Sequence, residues 1–205
     1  MKQQILTMLA LQDSMNQRIH PQWRQQGNAW YRAIWVECAE LLDHFGWKWW
    51  KKQEPDTEQV SLELIDIWHF GLSSLLEQEA SVDTLSDRIA EEMAAATGSG
   101  DFRADVETFA GHVLQSRAFD IQGFARLMAG VGLSFDQLYS GYIGKNVLNF
   151  FRQDHGYKDG TYRKTWAGKE DNEHLVEALV ELDLNSVSFK DDLYQALKAR
   201  YSATA

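Results

Sequence analysis

Two pairs of carboxylates stand one helical turn apart in this chain: Glu37 and Glu40 in WVECAELLDHFGWKWWKK (35–52), and Glu63 and Asp66 in ELIDIWHF (63–70). Residues three apart share one face of a helix. An acid pair on such a face either borders solvent or holds a hard cation through oxygen ligands. The second pair has unusual company. Val60, Leu62, Leu64, Ile65, Ile67, Trp68, Phe70, Leu72, Leu75 and Leu76 cover nearly the whole circumference of its helix, which is therefore expected to be buried. An ionised carboxylate on a buried helix needs a cation or a hydrogen-bonding partner, because desolvating it alone costs several kcal/mol. Glu63 and Asp66 share the one escaping stripe with His69 and Ser73. In the first helix, Ile34, Cys38, Leu41, Leu42 and Phe45 form the apolar arc, with Glu37, Glu40 and His44 along its edge. A bundle can bring all four acids together, and oxygen ligands on rigid helices suit Mg²⁺, which keeps several waters and bridges to substrate phosphates. His44 and His69 read as hydrogen-bonded residues at the core edge.

A phosphate partner calls for cations. Between 145 and 169, Lys145, Arg152, Lys158, Arg163, Lys164 and Lys169 face only Asp154 and Asp159, a local excess of positive charge in a chain whose net charge is −10. Gly156, Gly160 and Gly168 make 156–168 a candidate mobile loop, able to close over an anion with backbone N–H groups and cationic side chains. A solvated linker between helices is the alternative.

The elements that must position these groups are helical. Apolar residues recur at helical spacing, and only Pro21 and Pro55 interrupt the chain. The pattern predicts helices at roughly 3–18, 28–46, 56–79, 82–96, 102–118, 134–154, 170–182 and 189–201. With 205 residues, 44% of them hydrophobic and 12% aromatic, the expectation is one all-α helical bundle over 1–205. Thirty acids against 20 Lys and Arg argue against a general nucleic-acid binder. Cys38 is the one cysteine, which excludes an internal disulfide and a cysteine-based zinc site. The opening MKQQILTMLALQDSMNQRI lacks the apolar region and cleavage site of a signal peptide, and no apolar run approaches a membrane span. The expectation is a cytoplasmic protein without membrane partners.

Taken in order, LALQDSMN (9–16), ECAELLDHFGWKWWKK, ELIDIWHF and GKNVLNFFRQDHGYKDGTYRKTWAGKEDN (144–172) resemble the all-α dimeric dUTP diphosphatases, within the MazG-like group of nucleotide pyrophosphohydrolases. The two acid pairs are common to that whole group; the WKWWK stretch and the long C-terminal motif are more specific. The resemblance implies Mg²⁺-dependent hydrolysis of dUTP to dUMP and pyrophosphate by a homodimer, with sites near the subunit interface.

Carried over residue by residue, the resemblance makes Glu37, Glu40, Glu63 and Asp66 ligands of two or more Mg²⁺ ions. Glu37 would also orient or deprotonate the attacking water. Gln12 and Asn16 would read the uracil edge; apart from the resemblance they look like ordinary polar residues on a surface helix. Trp47 and Trp49 would stack on or wall the base, while at least one of Trp47, Trp49 and Trp50 is expected to serve core packing alone. Lys145, Asn149, Arg152, Tyr157, Lys158 and Lys164 would hold phosphates and sugar. Left open are dUDP as a second substrate, a sibling specificity such as dCTP, and a non-catalytic acidic helical interaction module. A di-iron carboxylate bundle fits less well, since its Glu-x-x-His spacing occurs here only as Asp66-x-x-His69.

Overall fold

The computed structural model describes residues 1–79, 81–94, 97–183, 186 and 188–202. Among them are nine α-helices: α1 (Lys2–Ile19), α2 (Trp30–Phe45), α3 (Thr57–Gln78), α4 (Val82–Ala94), α5 (Phe102–Ser116), α6 (Ile121–Val131), α7 (Phe135–Asp154), α8 (Asp171–Glu181) and α9 (Phe189–Ser202). A 3₁₀ turn lies at Trp23–Gln25, and β1 (Thr165–Trp166) pairs antiparallel with β2 (Lys169–Glu170). The all-α expectation holds. Residues 95 and 96 of the expected fourth helix lie outside the described residues.

Two departures have local causes. α6 falls where no helix is expected, and its ends explain it. Asp120 caps the N-terminus by accepting from the Gly123 N–H at 2.9 Å, and Gly132 closes the C-terminus with φ of 70°. The hairpin β1–β2 sits in the stretch read as open loop. Its turn residues Ala167 and Gly168 have φ of 46° and 81°, the left-handed pair that a two-residue hairpin turn requires.

By contact the chain divides into two compact units, Met1–Tyr139 and Ser140–Ala205. In the first, α2 packs on α3 more extensively than any other pair of described elements does. α3 is buried around almost its whole surface, as its sequence demands, with Val60, Leu64, Ile67, Trp68 and Leu72 fully enclosed. Trp68 stacks on Phe124 at 5.1 Å between ring centres, and Phe119 meets both rings. The second unit is built on aromatic rings. Phe151 of α7 touches Tyr162, Trp166, Tyr194 and Tyr201, and Tyr162 lies parallel to Tyr201 at 5.6 Å. A capping box between Glu170 and Glu173 starts α8 just after the hairpin.

Candidate active site

α2 and α3 bring three of the four predicted acids together. One carboxylate oxygen each from Glu37, Glu63 and Asp66 lies within 4.8 Å of the other two. Glu63 is buried and the other two are half-buried. Burial, then the charge of Asp66, a hydrogen bond to Glu63 and the charges of Glu63 and Glu40 push the Glu37 carboxyl up to about 8. His44 Nε2 stands 3.5 Å from Glu63 Oε1, at the core edge as expected. Glu40 lies outside the trio. It is exposed, lining a shallow cavity of about 380 Å³ with Trp35, Val36, Ala39 and Asp43. Cys38 is an inert neighbour, since burial and the Glu37 charge push its thiol up to about 12.

Gln12 and Asn16 are not surface residues: each is only 5% exposed. Gln12 Nε2 donates to Ser73 Oγ at 2.9 Å and to Asn16 Oδ1 at 3.2 Å, and Asn16 Nδ2 donates to the same Ser73 Oγ at 2.9 Å. Gln12 Oε1 meets His69 Nδ1 at 2.8 Å. The two amides of α1 thus meet the α3 stripe that also carries Glu63 and Asp66. Sequence reasoning noted His69 and Ser73 as neighbours of the acids without connecting them to Gln12 and Asn16.

The tryptophans depart from the packing expectation. Trp47, Trp49 and Trp50 are 46%, 89% and 57% exposed, so none of them is core. They pack edge-on against each other, Trp47 on Trp50 and Trp49 on Trp50, at 5.3 and 5.2 Å. Gly46 ends α2 with φ of 91° and turns the chain outward into this cluster.

In the second unit, Lys145 is buried and donates to Asn172 Oδ1 at 3.0 Å, and Arg152 Nη1 donates to Asn149 Oδ1 at 3.2 Å. Tyr157, Lys158 and Lys164 are exposed, and the Arg152 guanidinium lies 5.8 Å from the Tyr157 ring centre. The cation excess read from 145–169 is smaller in three dimensions. Arg152 pairs with Asp171, Lys164 with Glu170 and Lys169 with Glu177, all carboxylates just past the end of that window. Asp171 and Asn172 were not singled out from sequence; the signal was the EDN that closes the long motif.

A family model described as dUTPase matches residues 4–157, three quarters of the chain. The chain belongs to the dUTPase family. It is accordingly a hydrolase, a dUTP diphosphatase with dUTP as its substrate, and the interaction-module and di-iron readings give way to that assignment. The matched span contains the acid trio, the Gln12–Asn16 network and the tryptophan cluster, and it ends within the cationic motif. No curated protein matches this dUTPase. None of its described helices is long and apolar enough to cross a membrane.

Proposed function

We propose that this dUTPase converts dUTP to dUMP and pyrophosphate with two or more Mg²⁺ ions held by Glu37, Glu63 and Asp66, with Glu40 alongside, and that it acts as a cytoplasmic homodimer. The acid trio carries the reading. Three carboxylates on two packed helices offer only oxygen, the donor set hard divalent cations take, and the Glu37 carboxyl is raised first by burial and then by neighbouring carboxylate charges that a cation would offset. When bound, Mg²⁺ supplies charge neutralisation for the triphosphate and for the departing pyrophosphate. Glu37 orients the attacking water and accepts its proton.

Gln12 and Asn16 read the uracil edge. Planar amides give one donor and one acceptor each, and a base with the opposite pattern strands buried polar groups. Ser73, their common partner, follows Asp66 by two turns of α3, about 10 Å along the helix axis. That is the scale of the span from a base edge to its nucleotide's phosphates. Trp47 and Trp49 wall the base, and thymine is rejected by crowding at C5. Lys145, Asn149, Arg152, Tyr157, Lys158 and Lys164 hold phosphates and sugar, with 156–168 as the loop that closes over them.

The test is pyrophosphate release from dUTP, dTTP and dCTP, and orthophosphate release from dUDP, with and without Mg²⁺. Metal-dependent turnover with kcat/KM for dUTP well above dCTP and dTTP is expected. Equal values for dUTP and dCTP would overturn the base-reading role of Gln12 and Asn16, and undiminished turnover in EDTA would overturn the metal site.

A further inference from the structure

The residues GKEDN, 168–172, close the long C-terminal motif, yet the proposed chemistry leaves Asp171 without a task. It is the second unit's most deeply buried charge: its side chain has 0% exposure, whereas Arg152 keeps 14%. Three donors converge on it. Arg152 Nε donates to Oδ2 at 2.8 Å, Arg152 Nη2 to Oδ1 at 2.9 Å, and the Tyr162 hydroxyl to Oδ2 at 2.9 Å. Its backbone N–H also donates to the Lys164 carbonyl at 2.9 Å. Burial alone would raise the Asp171 carboxyl, but the hydrogen bond and charge of Arg152, with help from Tyr162, hold it below the usual carboxylate range. Burial and the Asp171 charge raise Tyr162, which keeps its proton and remains a donor.

We propose that Asp171 is a positioning residue for substrate binding: it grips the Nε/Nη2 edge of Arg152 and so aims the Nη1/Nη2 end, between Asn149 and Asn172, at the phosphate chain. The assignment rests on the phosphate-binding role proposed for Arg152. A guanidinium is a planar fork, so fixing one edge fixes the direction of the other. Nη1 lies against Asn149 Oδ1 at 3.2 Å, and Nη2 is 3.5 Å from Asn172 Oδ1. Those two carbonyl oxygens mark where that end points, and a phosphate oxygen is the stronger acceptor for it. Asn172 Oδ1 also receives Lys145 Nζ, so the residue after Asp171 links a second candidate phosphate cation to the first. An arginine held ready in this way loses little side-chain freedom when the anion arrives, and the gain falls on binding.

A double-mutant cycle tests this with the full-length protein: wild type, Arg152→Gln, Asp171→Asn and the double variant. Each is assayed for dUTP hydrolysis with Mg²⁺ and for binding of inorganic tripolyphosphate by calorimetry. Asp171→Asn is expected to raise KM for dUTP by about tenfold with kcat changed much less, and to weaken tripolyphosphate binding by a similar factor. In the Arg152→Gln background the same change adds almost nothing, because its effect passes through Arg152. Independent, multiplying losses, or an Asp171→Asn variant with wild-type KM and tripolyphosphate affinity, would overturn the proposal. Should Asp171→Asn lose its cooperative melting transition, Tyr162→Phe takes its place in the cycle; it removes one hydroxyl and leaves the ion pair. A smaller KM increase, absent in the Arg152→Gln background, is then expected, and an unchanged KM counts against the proposal. A wild type inactive on dUTP refutes the dUTP-cleavage reading alone, since the tripolyphosphate cycle still reports on Asp171. A wild type that also fails to bind tripolyphosphate overturns both.

Discussion

Glu37 makes the metal-free protein sensitive to pH for the same reason that it suits a cation. Its folded value near 8 lies above the usual glutamate value of 4.5. The folded state therefore holds its proton more tightly, and the associated stability is fully present below about pH 4.5 and is lost as pH rises through about 8. Between pH 5 and 8 the melting temperature of metal-free protein is expected to fall, and Glu37→Gln to flatten that fall. Mg²⁺ should raise the melting temperature more at pH 8 than at pH 5.5. A flat wild-type profile in EDTA would show that burial and the neighbouring carboxylates do not raise the Glu37 carboxyl. Asp171 has the opposite sign, its contribution being lost only as pH falls through its lowered value, which leaves the window above pH 5 clear. In activity, Glu37→Gln, Glu63→Gln and Asp66→Asn should each cost roughly 100-fold or more in kcat, and the exposed Glu40→Gln about tenfold, with folding retained by circular dichroism. Near wild-type turnover in any two of the first three would refute the metal site. The acid pairs were legible because spacing on an apolar helix reports a buried face. Asp171 was not, because its partner Arg152 is 19 residues away and no local period links them.

α3 was legible as a whole element: its apolar circumference predicted burial, and burial made its two acids conspicuous. Its neighbour α6 was missed although its apolar residues have helical spacing: Ile121, Phe124, Ala125 and Met128 fall on one buried face. It is an 11-residue helix with Gly123 and Gly130 inside it, and its end signals, Asp120 and Gly132, agree with that spacing. Those glycines are paid for by fit, since a Cβ at Gly123 would stand 2.4 Å from Asp120 Oδ2 and one at Gly130 2.8 Å from the Phe102 ring. The contact between α3 and the residues leading into α6 is comparably tight. A Cβ at Gly71 would meet the Phe119 ring at 2.5 Å, and that ring packs on Trp68, Phe109 and Phe124 and cannot swing aside freely. Gly71→Ala is therefore expected to destabilise the protein by about 1–3 kcal/mol despite alanine's better helix propensity. Urea denaturation monitored by tryptophan fluorescence measures it. Equal or greater stability would mean the ring relaxes at no cost. The tryptophan cluster was misjudged at this scale too. At least one of the three was expected to serve core packing alone, but the Gly46 turn ends α2 and carries Trp47, Trp49 and Trp50 all out to solvent.

At the scale of the whole molecule, apolar exposure is unevenly distributed. Trp35 and Val36 are 49% and 45% exposed on α2, immediately before Glu37, and the tryptophan cluster follows the same helix. Trp35 and Val36 line one shallow cavity with Ala39, Glu40 and Asp43, and exposed apolar side chains of this kind offer a partner a surface to cover. The proposed homodimer supplies a second copy to cover it, and the helix so covered is the one that contributes Glu37 to the trio. Loss of the partner would then free α2 to shift, and catalysis would suffer without any change in the acids themselves. Wild-type protein at micromolar concentration is expected to sediment at about twice the 23.5 kDa of the chain. Replacing Trp35 and Val36 together by Glu places like charges on both copies of the surface and should shift the protein to monomer, with kcat reduced by about tenfold or more and α-helical content retained. Because the disrupted contact lies between copies, activity of the double variant should partly recover as its concentration is raised, whereas a local defect at Glu37 would not. Wild type sedimenting as a single chain at the concentrations where it is fully active would refute the homodimer.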